Sequence, residues 1–368
     1  MNKLIVFSAA LVFISAPPVM GQELLSDESP GGVKSLEDRI EHLEKAIDRP
    51  VEGNKWYDRI QVSGLLEVEA GYGKNKYKDP AEEDEETSDI DLATAELVVD
   101  ARIIDHVDGH IMIKYEEDDL FLDEGYITLS GTEAFPGYLI AGRQYLPFGY
   151  FDSHFVTDPT TLVLGETNEG AAVVGYRFGE DLVDVSFGVF NGNAQELGED
   201  DIIDNFVTRI SVSPFKDLMF GVSYTSNLAS SDAFSDVVTN PDELESLVAA
   251  WSVYATYQIN RFKLIGEYVA AIDDFEAGEI YDAAETQKRK PQAWNIEGGF
   301  AITDTVELAA RYGGSDDGGD FLPESEYGAV LNWGVFENTN LALEYLHSEF
   351  EEDVQDADVV TLQLAVAF

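Results

Sequence analysis

From Asp58 to the last residue the chain alternates. Ile60, Val62, Leu66, Val68, Ala70 and Tyr72 share one parity, while Gln61, Ser63, Glu67 and Glu69 hold the other. The same period of two returns in Leu218, Phe220, Val222 and Tyr224, and in Trp294, Ile296, Phe300 and Ile302. It returns again in Tyr327, Ala329, Leu331, Trp333 and Val335, and in Val360, Leu362, Leu364, Val366 and Phe368. A period of two predicts strands with one apolar and one polar face. Counting such runs gives about sixteen, each roughly 8–12 residues long, enough to cross a bilayer at a tilt. Between them, short connections (105–109, 131–137, 179–181, 213–217, 259–261, 303–305, 337–340) alternate with longer ones (73–88, 146–170, 191–205, 227–246, 272–291, 313–325, 349–358) and a tight one near 117–120.

Two architectures present such strands, a soluble sandwich and a membrane barrel. Three features favour the barrel. Short and long connections alternate to the end, as short periplasmic turns and long outer loops do. Aromatics sit near run ends on the apolar parity, among them Tyr72, Tyr115, Tyr126, Tyr138, Phe178, Tyr224, Phe262, Tyr268, Tyr312 and Tyr345. That placement suits interfacial girdles rather than a mid-strand core. The chain stops at Phe368 inside an alternating run, which resembles the terminal signal read by the barrel-assembly machinery. The expectation is an all-β, sixteen-stranded antiparallel transmembrane β-barrel over 58–368, set in outer-membrane lipid and lipopolysaccharide.

Ahead of the strands the pattern differs. Asn2-Lys3, the apolar Leu4 to Ala16 and Val19-Met20-Gly21 read as a secretory signal peptide over 1–21, cleaved near Gly21/Gln22. Val33, Leu36, Ile40, Leu43 and Ile47 then form an a/d seam of about two heptads, with Arg39 and Glu44 at g and e. Segment 22–57 is therefore expected to be a short coiled-coil helix and linker in the periplasm, a site for homo-oligomer contact. Pro50 ends it.

Composition narrows the partners. The 368 residues carry 72 Asp and Glu against 22 Lys and Arg, a formal charge of −50. Nucleic acid is excluded as a partner, because phosphate binding needs clustered bases. No cysteine is present, which removes disulfides, thiolate metal sites and Cys nucleophiles. The acidic excess lies in the long connections, for example 82–86, 199–201, 316–320 and 349–353. An acidic mouth concentrates cations. It also offers divalent cations carboxylates, although no twelve-residue calcium loop occurs and no cofactor is expected. No G-x-S-x-G, zinc-binding helix or phosphate loop appears, and the five histidines match no hydrolytic station, so the chain reads as a non-enzyme.

On the polar parity stand Glu67, Glu69, Glu96, Asp100, Arg102, Lys114, Arg209, Glu267, Glu297, Arg311 and Glu344, joined by Lys263 and Glu307. In a barrel these line the lumen, where opposed charges set selectivity. The stretch 142–170, GRQYLPFGYFDSHFVTDPTTLVLGETNEG, is long, apolar and broken by Pro147, Gly149 and Pro159. As the third outer connection it is expected to fold inward, with Phe148, Tyr150, Phe151 and Phe155 against the wall. Asp152, His154, Asp158, Glu166 and Glu169 would then face Arg143 and Arg177 across a pore constriction.

A strand ending in AGRQYLPFG, then DSHFVTDPTTLVLGET, then AAVVGYRF resembles the LbtU-like family of outer-membrane siderophore porins. The plan of signal peptide, short coil, strands and terminal Phe is similar too. The resemblance implies a sixteen-stranded barrel, without a plug domain, that carries iron-siderophore complexes across a Gram-negative outer membrane. Two functional expectations follow. One is a porin for passive or substrate-selective diffusion of small solutes. The alternative is a structural or adhesive barrel whose acidic loops bind partners or divalent cations.

Overall fold

The computed structural model describes residues 59–77, 83–116, 119–179, 182–200, 202–350 and 355–368. The expected signal peptide and coil lie outside the described residues. Sixteen strands form one closed antiparallel barrel. They run β1 (Ile60–Tyr77), β2 (Glu85–Ile104), β3 (Val107–Glu116), β4 (Asp119–Thr132), β5 (Phe135–Tyr145), β6 (Asn168–Phe178), β7 (Val183–Phe190) and β8 (Asn205–Phe215). The second half is β9 (Leu218–Thr225), β10 (Ala250–Ile259), β11 (Phe262–Ala271), β12 (Gln292–Ala301), β13 (Val306–Asp316), β14 (Ser325–Phe336), β15 (Thr339–Glu349) and β16 (Gln355–Ala367). Each strand pairs with its sequence neighbours, and β16 pairs with β1 from Leu65↔Ala367 to Tyr77↔Gln355. Gly64 and Phe368 exchange both backbone hydrogen bonds at 3.0 Å, so closure leaves no sheet edge.

The polarity is inverted relative to a soluble protein. Ile127, Phe187, Ile296 and Leu343 are exposed on the outer face, while Glu297, Arg311 and Glu344 are buried inside. A continuous outer band of aliphatic and aromatic side chains is stable only against hydrocarbon, and a closed barrel is one of two structures that satisfy the backbone there. At one end the strands are joined by tight turns. Asn260 and Asn338 take φ of 54° in two of them, the left-handed conformation that two-residue hairpins need and that Asn tolerates.

Two expectations are corrected. Connection 73–88 is largely strand: Gly73↔Thr87, Lys74↔Glu86 and Asn75↔Glu85 remain paired. Cross-strand charge pairs line this extension, with Lys74 Nζ 3.0 Å from Glu86 and Lys76 Nζ 2.6 Å from Asp358 of β16. Tyr126 and Tyr138 are not girdle residues either; both are buried on the inner face. Tyr126 stacks on His110 at 4.6 Å, and the Tyr138 hydroxyl donates to Asp184 at 2.9 Å. Each inward tyrosine faces a glycine across the ladder: Tyr126↔Gly142, Tyr138↔Gly175, and likewise Tyr254↔Gly221. A Cβ at Gly175 would lie 2.1 Å from the Tyr138 ring, so only glycine lets the ring lie across its neighbour.

The longer connections are not a solvated fringe. Leu146, Phe148 and Phe151 of the third share one buried apolar cluster with Leu228, Phe234 and Leu244 of the fifth, Phe275 and Ile280 of the sixth, and Leu322 of the seventh. Loops three to seven thus carry a small core of their own at one end of the barrel.

Candidate functional site

The third loop, residues 146–167, leaves β5 and enters the barrel. A segment without strand partners must find other acceptors for its backbone N–H groups once buried. The inner wall supplies carboxylates. Glu267 on β11 accepts the N–H groups of Tyr150 at 2.9 Å and Phe151 at 2.7 Å, and a hydroxyl bond from Ser252 at 2.8 Å. Glu297 on β12 accepts from His154 N–H at 2.6 Å and Ser153 Oγ at 2.8 Å. Glu344 on β15 accepts from Val156 N–H at 2.6 Å and Thr157 Oγ1 at 2.5 Å. Ser223 on β9 accepts Gly149 N–H at 2.8 Å, and Asn332 on β14 donates to the His154 carbonyl at 2.9 Å. The loop therefore follows the inner wall from β9 to β15. It returns through a short helix, Thr160–Gly165, whose Thr160 hydroxyl donates to carbonyls of Trp294 and Gly314.

Arg311 on β13 organises the centre of this contact. Its Nε donates to Glu297 at 2.9 Å directly across the ladder, and both side chains are fully buried. Its Nη2 donates to Ser153 Oγ and the Thr157 carbonyl, both at 2.7 Å, and its Nη1 to the Asp158 carbonyl and Glu326, both at 3.2 Å. The Phe155 ring covers the guanidinium at 4.3 Å, a cation–π contact away from water. The planar fork suits this task, which a lysine could not perform with one point charge.

The expected constriction residues are placed as follows. Asp152 pairs with Lys263 at 2.6 Å, and His154 Nδ1 lies 2.6 Å from Glu307. Asp158 is buried, with its carbonyl on Arg311. Glu166 is buried where the loop leaves the short helix, and Glu169 is half-buried at the start of β6. Arg177 is on the inner face beside Asp184 at 3.5 Å, its guanidinium 5.5 Å from the Tyr138 ring centre. Arg143 is exposed on the outer face, between Gly125 and Gly170 in the ladder. In place of the expected confrontation of loop acids with Arg143 and Arg177, Asp152 meets Lys263, and Arg311 meets the loop through a hydroxyl and two carbonyls. On β5 the inner parity belongs to Tyr138, Ile140 and Gln144, one residue out of step with Arg143.

Of the expected wall residues, Glu67, Glu69, Asp100, Lys114, Arg209, Glu267, Glu297, Arg311 and Glu344 are buried on the inner parity, and Glu96 and Arg102 are half-buried there. Sequence reading missed the hydroxyl and amide anchors Ser223, Ser252 and Asn332, whose signal was their polar parity alone. It also missed a trio on β2, β3 and β4, in which His110 Nδ1 lies 2.7 Å from Asp100 and Nε2 lies 3.3 Å from Glu124. No group of three or more His, Asp or Glu is spaced to hold a metal ion among the described residues.

Solved structures share this architecture. The chain aligns with the outer membrane channel DcaP of Acinetobacter baumannii at a TM-score of 0.61 and 12% identity, covering 84% of this chain and 97% of that one. OmpT, an outer membrane protein of Vibrio cholerae, aligns at 0.57 and 14% over 84% and 97%. The anion-selective porin from Comamonas acidovorans aligns at 0.55 and 12% over 84% and 99%. This is the porin fold. By sequence, this porin-fold chain is similar to a UPF0422 protein of Coxiella burnetii, 25% identical over 305 residues, 78% of this chain and 64% of that protein. It therefore spans under two thirds of that relative. A UPF0422 protein of Legionella pneumophila (strain Lens) is 23% identical over 385 residues, covering 94% and 72%. No protein-family model matches the chain.

Proposed function

We propose that the protein is a porin of a Gram-negative outer membrane, passing small solutes by diffusion through a lumen narrowed by its third loop. The observation that carries this reading is the set of wall carboxylates, Glu267, Glu297 and Glu344, that hold the loop's backbone inside a barrel with an apolar exterior. A barrel serving only to display outer loops has no need to line its lumen with charge or to fasten a loop within it. Such a lining and such a loop serve passage. Similarity in fold to a named outer membrane channel and a named porin supports the same reading.

The finer assignment, to iron-siderophore complexes, rests on the resemblance of residues 142–169 to siderophore porins. The acidic excess restricts it to neutral or cationic complexes, because anionic ones are repelled at the mouth. One experiment addresses both levels. Purified protein in a planar bilayer should give discrete conductance steps, and a neutral or cationic ferric siderophore added on the loop side should interrupt them. A silent bilayer would remove the porin reading; steps indifferent to every ferric complex would remove the siderophore.

A further inference from the structure

The third loop is tied to the fifth at a second place, away from the wall carboxylates. Glu166 closes the short helix Thr160–Gly165, and its carbonyl accepts the N–H of Asp232 at 2.8 Å. Asp232 Oδ1 accepts the N–H of Asn168 at 3.0 Å. The Asn168 amide donates to Asp123 through Oδ1 at 3.1 Å and through the backbone carbonyl at 3.0 Å. Asp123 comes inward because β4 bulges against β3 between Met112 and Ile113, bringing Asp123 and Glu124 both to the buried side. Loop three, loop five and the end of β4 thus meet on carboxyl groups.

We propose that the junction of Glu166, Asp232, Asp158 and Asp123 is a proton-operated latch, holding the third loop to the fifth when protonated and loosening when ionised. It would regulate the channel proposed above and rests on that reading for its purpose, though not for its chemistry. Charged and titratable groups face it from several elements. From the third loop and β6 come Asp158 and Glu169; from β4, Asp123 and Glu124; from β5, Tyr145; from β3, Lys114, with His110 3.3 Å from Glu124; and from the fifth loop, Asp232, on which the outer-face Arg143 also acts. Among these groups the acids outnumber the bases Lys114, Arg143 and His110, so full ionisation leaves net repulsion at the junction.

Titration follows the same geometry. Burial pushes the Glu166 carboxyl well above the ordinary carboxylate range, and Asp232, Asp158 and Asp123 push it the same way against Lys114. Asp232 is an exposed residue, so its carboxyl exchanges protons with bulk water and solvent screens its charge. Burial of the carboxyl, against the Asn168 N–H bond and with Glu169 nearby, raises it to about 7, an upper limit for a group that water still reaches. A folded-state pKa above the unfolded value means the junction costs nothing in acid. The penalty grows as pH rises from the ordinary carboxylate range and is complete above the raised pKa. The latch is therefore tightest in acid and loosens as pH rises from the ordinary carboxylate range towards and past 7, the value to which Asp232 is raised, on the side of the molecule where the outer loops meet their surroundings.

Limited proteolysis of the folded barrel tests this directly, with the rate of cutting inside 145–170 normalised to a peptide of the same sequence. Cutting of a rapidly opening loop follows the open population. Its rate should rise about tenfold per pH unit for each proton released, between roughly pH 5 and 7. The variants Glu166→Gln and Asp232→Asn, singly and together, mimic the protonated junction and should flatten that profile at the slow, acid value. Conductance across the same pH range should rise with the cutting. A flat wild-type profile, or an unaltered slope in the double variant, would overturn the latch. A bilayer silent at every pH would count against the channel, while proteolysis would still decide the latch.

Discussion

Arg311 shows how one side chain can hold a loop. It has a carboxylate across the ladder, another on the next strand and three oxygens from the loop, all in a buried setting. Replacing one member of a buried ion pair strands its partner's charge, at a cost of about 3–5 kcal/mol. Arg311→Ala should therefore lower unfolding stability in detergent by that order and free the segment around Thr157. Unchanged stability together with an unchanged channel would contradict the role given to Arg311. Much at this scale was legible: alternation put Glu267, Glu297, Arg311 and Glu344 on the inner face, and they are there. Arg143 and Tyr138 were misplaced together, because both lie on β5 and a slip of one residue turns every side chain over. Nothing within β5 fixed the phase, since Tyr138 and Leu139, or Ile140 and Ala141, suit either face by polarity alone. The glycines opposite the inward tyrosines carried the missing signal, readable only once the register was known.

Among elements, the third loop differs most from its neighbours. Its Pro147, Gly149 and Pro159 forbid a strand, and its aromatics forbid a solvated excursion, so its course into the barrel was foreseeable. Which wall it would follow was not. That depends on Ser223, Glu267, Glu297, Asn332 and Glu344, spread over five strands and more than a hundred residues, and no local pattern links them. The bounds of the first outer connection were misjudged for a related reason. Lys74 and Lys76 look like loop residues until Glu86 and Asp358 are seen beside them. Removing residues 150–165 takes away every wall contact named above except that of Gly149 with Ser223, and removes no strand residue. Single-channel conductance should then increase; an unchanged value would mean that the loop lies clear of the ion path.

At the scale of the whole molecule, the charge of −50 divides into different tasks. Glu267, Glu297 and Glu344 are occupied by loop N–H groups and Arg311, so they contribute less to selectivity than their number suggests. Glu67, Glu69, Glu96 and Asp100, on the inner parity of β1 and β2, bond no third-loop N–H group among the described residues and outnumber Arg102 there, leaving that part of the wall net acidic. The reversal potential in a salt gradient should accordingly show cation preference. The preference should shrink from 0.1 M to 1 M salt, as the screening length falls from about 10 Å to 3 Å. Anion preference would reverse this assignment. The loop's fastening has one more consequence. Glu267 and Glu344 hold Tyr150, Phe151 and Val156 by their main-chain N–H groups, so these bonds do not depend on which side chains those positions carry. Phe151 and Val156 are packed in apolar clusters, but the half-buried Tyr150 is an exchangeable fitting on a fixed mount, where a lineage could alter what the passage admits by a point change without rebuilding the barrel.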